Sequence, residues 1–450
     1  MHHTKTLLFF LFPLVIFAQP EVKWRKALKN GIQSINSAVD FSVDKSGNVF
    51  IAGSTNEPDS AKKILLVKLD SSGTEQWRRI FQTEPLSNAV AVALALDLSG
   101  NAVLTGTIMN AKGNSDIVTL KYSTDGILLW QNFYGGKANL FDAPSAIAID
   151  KKGNVLVCGF ETASEANPDL LLLRYSSGGE RSFVKNFSTA KMDVGVDVAI
   201  DDSCNIYVCG NISVSTRSAD IMVMKFDSSG NSKWNYTYDG PEHTVDVATD
   251  FAFDDSTNIF ITGSANHSND KADIPLIKLN RNGKLIGEQL ISAGIADGTG
   301  GKLTTGGKTV FLQTTFTDFL QQSVTGSMYL ADKTCKQKFN LKPPNEDINY
   351  LVAYPWQNNS TLLFGSVLTR PENTIAPYIE IQDSLHHKKM SYQDDVLISL
   401  LRIKNVLLAG SDIYFLGDDA TENAGTISIV KYSLPEVPKN KPKVSKPKTK

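Results

Sequence analysis

The chain has 450 residues, 42% of them hydrophobic and 20% charged, an ordinary globular composition with apolar material for a large core, which sets disorder aside. Its formal net charge of -2 argues against a partner recognised by bulk charge, such as nucleic acid or an anionic membrane. In chain order, a polar start at His2, His3 and Lys5 precedes an apolar run from Leu7 to Phe17, broken at Pro13 and ending at Ala18. That run is too short to span a bilayer, so residues 1–18 are expected to be a cleaved signal peptide, followed by the main body over 19–435. No later stretch has the length of a membrane helix, and no integral membrane segment is expected.

After VKWRKALKNG at Val22, one phrase recurs: FSVDKSGNVFIAG from Phe41, LALDLSGNAVLTG from Leu94, IAIDKKGNVLVCG from Ile147, VAIDDSCNIYVCG from Val198 and FAFDDSTNIFITG from Phe251. Its Asn recurs at steps of 53, 53, 51 and 53 residues, a period that in all-β sequence points to propeller blades. A second phrase follows, as in LLVKLDSSGTEQW ending at Trp77, VTLKYSTDGILLW at Trp130 and IMVMKFDSSGNSKW at Trp234. LLLRYSSGGERSF places Phe183 at that position, and PLIKLNRNGKLIG places Ile286 near it.

Each unit thus holds two hairpins, with strands named A to D outward from the axis at about 38–44, 48–53, 63–70 and 75–81 in the first. The turn Asp accepts from backbone amides, and Gly47, Gly100 and Gly153 supply the positive φ. Where Cys204 and Thr257 replace Gly, the following Asn205 and Asn258 are the residues expected to take the left-handed conformation. The apolar runs NVFIAG and NVLVCG are nearly continuous, as in strands covered on both faces.

Eroded units follow around Gly306, Asn358 and Gly410, making eight A-B-C sets, with seven blades as the alternative count. The last set stops at Ser433 without a D strand, while VKWRKALKNG parallels EQWRRIFQTE at Glu75 and aligns Trp24 with Trp77. The expected fold is an all-β, eight-bladed propeller of four-stranded antiparallel blades, closed by the N-terminal strand completing the last blade. Beyond Pro435, residues 436–450 alternate Lys with Pro and read as a disordered tail.

The unit D-x-x-G-N-hydrophobic-x-x-G, then V-x-K-aromatic, D-x-x-G and Trp, resembles the bacterial SBBP beta-propeller repeat, clearly over Ala38 to Tyr238. The resemblance implies a propeller in an exported bacterial protein and brings no catalytic motif. The phrase VKLDSSGTEQW is also similar to the tryptophan motif of quinoprotein-like eight-bladed propellers, which include cofactor-dependent dehydrogenases and non-enzymatic scaffolds. An adjacent cysteine pair and a recurrent quinone-binding set are both missing, and no cofactor is expected.

Candidate sites are few. Asp116, Asp169, Asp220 and Asp273 recur just before strand C, and Asp142, Asp193 and Asp246 recur eight residues before the A-B turn Asp. B-to-C and D-to-A connections open on one face, which should carry a partial ring of carboxylates on blades 2 to 5. These groups either form a polar or cation-assisted ligand site or accept hydrogen bonds from neighbouring loops. Trp24, Trp77, Trp130 and Trp234 fit inter-blade packing, which leaves Trp356, outside the register, as a ligand probe. The histidines lack metal-ligand spacing, no D-x-D-x-D-G calcium loop occurs, and the cysteines Cys158, Cys204, Cys209 and Cys335 fit packing positions. With no catalytic set recognised, the expected function is an exported, non-enzymatic binding or scaffold propeller for a protein or glycan. A polysaccharide hydrolase or lyase using the loop-face carboxylates, or a quinone-cofactor enzyme, are the alternatives.

Overall fold

Side-chain alternation accounts for the B strands. Val49 and Ile51 point to one side and Phe50 and Ala52 to the other, and all four are buried. The first pair joins an apolar cluster with Leu28, Phe41, Tyr414 and Ile427, the second a cluster with Leu66, Leu94, Leu104 and Leu120. Cover on both faces is why the strand reads as an unbroken apolar run.

The computed structural model describes residues 19–434 apart from 30–34, 57–59, 84–86, 111, 165–166, 190, 214–217, 268–270, 293, 295–296, 307–308, 319–322, 333, 346, 358–359, 370–373, 383, 395–401 and 422–423. The expected signal peptide and lysine tail lie outside the described residues. The strands form eight four-stranded antiparallel sheets. Blade 1 runs A Ile35–Val43, B Val49–Asn56, C Lys63–Leu69 and D Glu75–Phe81, and blades 2 to 7 repeat this order from Ala89, Asp142, Val194, Asp246, Asp297 and Ile348. Blade 8 takes strands A to C from Arg402–Ala409, Asp412–Thr421 and Ala424–Ser433, and its D strand from Glu21–Leu28. The chain is therefore an eight-bladed β-propeller, and the N-terminal strand completes the last blade, with Arg25 opposite Val430 and Leu28 opposite Ile427. An apolar cluster fills each of the eight seams, including the one between blades 8 and 1. No helix among the described residues is long and apolar enough to cross a membrane.

The D-strand aromatic is a docking device. Trp24, Trp77, Trp130 and Trp234 each donate from Nε1 to a carbonyl in the C-D turn of the next blade, at Ser71 (2.9 Å), Thr124 (2.9 Å), Ser177 (3.1 Å) and Arg281 (3.2 Å). The strand-C lysines Lys68, Lys121 and Lys225 reach the same carbonyls of Thr124, Ser177 and Arg281. Only glycine fits beneath the indole: a Cβ on Gly73 would lie 2.6 Å from Trp24, and one on Gly126 2.8 Å from Trp77. Phe183 covers Gly230 in the same way. In blade 5 the position opposite Lys278 is Gly287, one residue past the Ile286 that sequence alignment suggests, and the Thr334 carbonyl of blade 6 leaves no room there for a Cβ.

In the A-B turns, Asp44 Oδ1 accepts from the amides of Ser46 (2.8 Å) and Asn48 (2.9 Å), and Gly47, Gly100 and Gly153 all have φ of 79°. One expectation needs correction: Cys204 (φ 60°) and Thr257 (φ 59°) themselves adopt the left-handed conformation. Asn205 and Asn258 are held instead by their side-chain amides on Asp201 and Asp254 and lead into extended strand. All four cysteines are free thiols, with Cys158, Cys209 and Cys335 buried.

Candidate functional site

Each A strand carries a bulge, at Ala38/Asp40 in blade 1, where it presses against the B strand. The second glycine of the repeat permits this approach, since a Cβ on Gly53 would meet the Ser37 carbonyl at 2.4 Å. Two sets of charged groups follow from this geometry, one at the blade seams on the loop face and one along the axis.

On the loop face, the carboxylates foreseen in the sequence lie at successive seams and meet one another between blades 2 and 3 and between blades 4 and 5. Between blades 2 and 3, Asp142 is fully buried and accepts from the amides of Gly136 (2.5 Å) and Thr162 (3.0 Å), while Asp116 accepts from Asn110 Nδ2 at 2.9 Å. Glu161, which the repeat does not flag, joins them with hydrogen bonds from Tyr134 and Asn186. Burial, then Glu161 and Asp116, push the Asp142 carboxyl above its ordinary value. Between blades 3 and 4, buried Asp193 accepts from the amides of Thr189 (2.5 Å) and Ser213 (3.1 Å), and its own amide donates to the Pro168 carbonyl beside Asp169. Between blades 4 and 5, fully buried Asp246 accepts from the Gly240 amide and lies close to Asp220 and Asp239. Burial, and then the charges of Asp220 and Asp239, raise Asp246 to about 6. At the fifth blade Asp273 pairs with His267 Nε2 at 3.1 Å, which raises the imidazole above its usual value. Trp356 sits in the A-B turn of blade 7, on the opposite face, half-buried against the cluster between blades 7 and 8.

Along the axis, the bulge places Asp40, Asp197 and Asp250 within electrostatic reach of Lys302 of blade 6. Lys302 Nζ lies 3.6 Å from Asp250 Oδ1, and the Leu303 amide donates to Asp250 Oδ2 at 2.7 Å. Asp40 accepts from the Leu94 amide and from Asn405 Nδ2, both at 3.1 Å. Asp197 has its own neighbour Val198 as amide donor, and burial followed by the Asp250 charge raises it to about 6. Beside this cluster, Lys302, Gln313, Tyr354, Lys404 and Asn405 line a cleft of about 230 Å³. Sequence reasoning missed the axial set, although its signal is visible: Asp40, Asp197 and Asp250 each precede the turn residues Asp44, Asp201 and Asp254 by four.

Fold and site together define a β-propeller with braced loops and a charged axis. Comparison with protein-family models finds no match, and comparison with curated proteins finds none either. Among solved structures the chain is similar to Drosophila Plexin A in complex with Semaphorin 1b, with 9% identity, a TM-score of 0.44 and coverage of 93% of this chain and 88% of that one. It is also similar to the WD40 domain of SCAP from fission yeast, with 11% identity, a TM-score of 0.48 and coverage of 91% and 98%. The beta-propeller domain of the Trilobed protease from Pyrococcus furiosus matches with 10% identity, a TM-score of 0.46 and coverage of 82% and 98%. At such identities and scores none of them says what this chain binds or does.

Proposed function

We propose that this chain is a non-catalytic binding propeller, exported by a bacterium that uses SBBP-type repeats, and that it presents its loop face to a protein partner. One observation carries the reading. Met109, Phe141 and Met192, exposed by 40%, 56% and 57%, stand on the B-C and D-A connections of blades 2 to 4. Exposed aromatic and methionine side chains on a held surface are typical anchors for protein contacts and poor ones for a polar glycan. The loops beneath them are braced by Asp142 and Asp193, whose oxygens are spent on backbone amides. Carboxylates so engaged are poor acids or bases for glycoside hydrolysis, and indoles engaged in blade docking are unsuited to holding a quinone. Both points favour binding over the two enzymatic readings.

The test is cross-linked affinity capture from the native envelope, comparing the wild type with Phe141→Asp, Met192→Asp and, on the opposite face, Ile127→Asp. A protein retained by the wild type and Ile127→Asp but lost from both loop-face variants supports the proposal. Equal capture by all four, or capture of polysaccharide alone, overturns it.

A further inference from the structure

The seam between blades 4 and 5 differs from its neighbours in charge. Asp220 opens strand C of blade 4, Asp239 follows its strand D, and Asp246 opens strand A of blade 5. One oxygen from each lies within 4.8 Å of the other two. Asp220 and Asp246 are 4% and 0% exposed; the Oδ1 of Asp220 is buried without a hydrogen-bond partner among the described residues, and that of Asp246 has beside it only the Asn266 amide, which donates to the Val245 carbonyl. A buried anionic oxygen without a donor is strongly unfavourable unless a proton or a cation neutralises it, and three carboxylates in contact are a set that one divalent cation neutralises together.

At two other seams protein supplies the missing donor, Asn110 Nδ2 serving Asp116 and His267 Nε2 serving Asp273, while Asp169 Oδ1 in blade 3 is also buried without one but has no third carboxylate at the place of Asp239. At the place of Asp239 the neighbouring seams carry Gln82, Gly135, Ser188 and Ser292, so a carboxylate at this position is peculiar to this seam among these five. The third carboxylate between blades 2 and 3, Glu161, comes from strand B and is spent on Tyr134 and Asn186. The segments bearing the carboxylates are fixed to one another. Ala219, next to Asp220, bridges in parallel to Val245, next to Asp246, and the Gly240 amide donates to Asp246. His243 Nδ1 contacts Asp239 at 2.7 Å and orients it.

We infer that Asp220, Asp239 and Asp246 bind a hard divalent cation of the calcium type across the blade 4–blade 5 seam. The donors are all oxygen, the set favoured by calcium and magnesium over softer metals. Oxygens on opposite sides of a calcium ion, each about 2.4 Å away, stand about 4.8 Å apart, so the separations among the three groups do not exceed the span of one coordination sphere, and a small inward shift of the side chains would close them on an ion. Water or further carbonyls complete it. The linear calcium-loop motif is missing because the ligands come from three separate segments. The ion would join strands C and D of blade 4 to strand A of blade 5 and hold the 239–246 connection.

The test uses the full-length protein stripped of metal with a chelator. Calcium is titrated calorimetrically, and terbium luminescence is excited through the tyrosines, Tyr238 being adjacent to Asp239 in sequence. The expected result is one saturable site per chain, terbium emission displaced by calcium, and on the order of tenfold or greater weakening in Asp239→Asn and in Asp220→Asn. Asp239 is exposed, so its variant keeps the fold even where Asp220→Asn does not, and circular dichroism checks this. Asp116→Asn, at a seam that already has its donor, should bind as the wild type does. Absence of saturable binding in the wild type at about ten times the ~1 mM affinity of the weakest extracellular calcium modules overturns the assignment. Unchanged binding in a folded Asp239→Asn does so too.

Discussion

Thr257 and Cys204 show at the level of single residues how a repeat position can outlast the residue that suits it. Both adopt φ near 60° where the other turns use glycine. An L side chain there costs about 1–2 kcal/mol, and β-branched Thr257 bears the greater strain. Thr257→Gly should therefore raise unfolding stability by about 1 kcal/mol in urea titrations, because the gain in native geometry exceeds the added freedom of the unfolded chain. Asp197 governs a pH effect. It faces Asp250 and Lys302, with the buried thiols Cys158 and Cys209 against it, both raised well above their ordinary value by burial and so protonated near neutrality. Its folded value of about 6 exceeds the 3.8 of an unperturbed carboxyl, so the native state holds this proton more tightly than the unfolded chain. Stability contributed by that proton is present below pH 4 and is lost as pH rises through 6, by about 1–3 kcal/mol after discounting for solvent in the channel. Asp197→Asn should flatten this part of the stability–pH curve, and an unchanged slope would refute the assignment.

Among the elements, the C-D turn and the D strand of the preceding blade form one unit split across a seam. The indole donates to a turn carbonyl, the strand-C lysine reaches the same oxygen, and the turn glycine lies under the ring. Gly126→Ala must move the Trp77 ring and place alanine at φ 77°, so a loss of about 2–4 kcal/mol is expected by chemical denaturation. Trp, Gly and Lys recur at fixed spacing, so the existence of this unit was legible. Its partnership was not, because each indole serves the following blade and spacing within one unit is silent about that. The Gly287 register shows the same limit, since tight contact with the Thr334 carbonyl of another blade decided it.

At the scale of the whole molecule, closure rests on the N-terminal strand. Glu21–Leu28 covers the edge of strand C in blade 8, Trp24 docks on blade 1, and Arg25 pairs with Asp394 beyond blade 7's D strand. Asp394 is 2% exposed and also accepts from Tyr432 Oη at 2.5 Å. Arg25→Ala would remove this guanidinium from the buried carboxylate, at a cost of about 2–4 kcal/mol given the partial exposure of the arginine. Deleting residues 19–29 should do more, exposing a strand edge and the seam between blades 8 and 1. A broadened unfolding transition and concentration-dependent association in light scattering are expected, and a monomer with unchanged cooperativity would show that closure is dispensable. The sequence by itself determined the strands, the positions of the turns, the blade number and this closure, because each rests on local hydrogen bonding or on an apolar pattern that repeats every fifty or so residues; it did not determine the left-handed residue at Cys204 and Thr257 or the register at Gly287. Only the tertiary structure decided which carboxylates brace a loop, which face the axis and which crowd together at one seam. Side chains from different blades set those environments, and the distances between them are fixed by the ring and not by the spacing of residues along the chain.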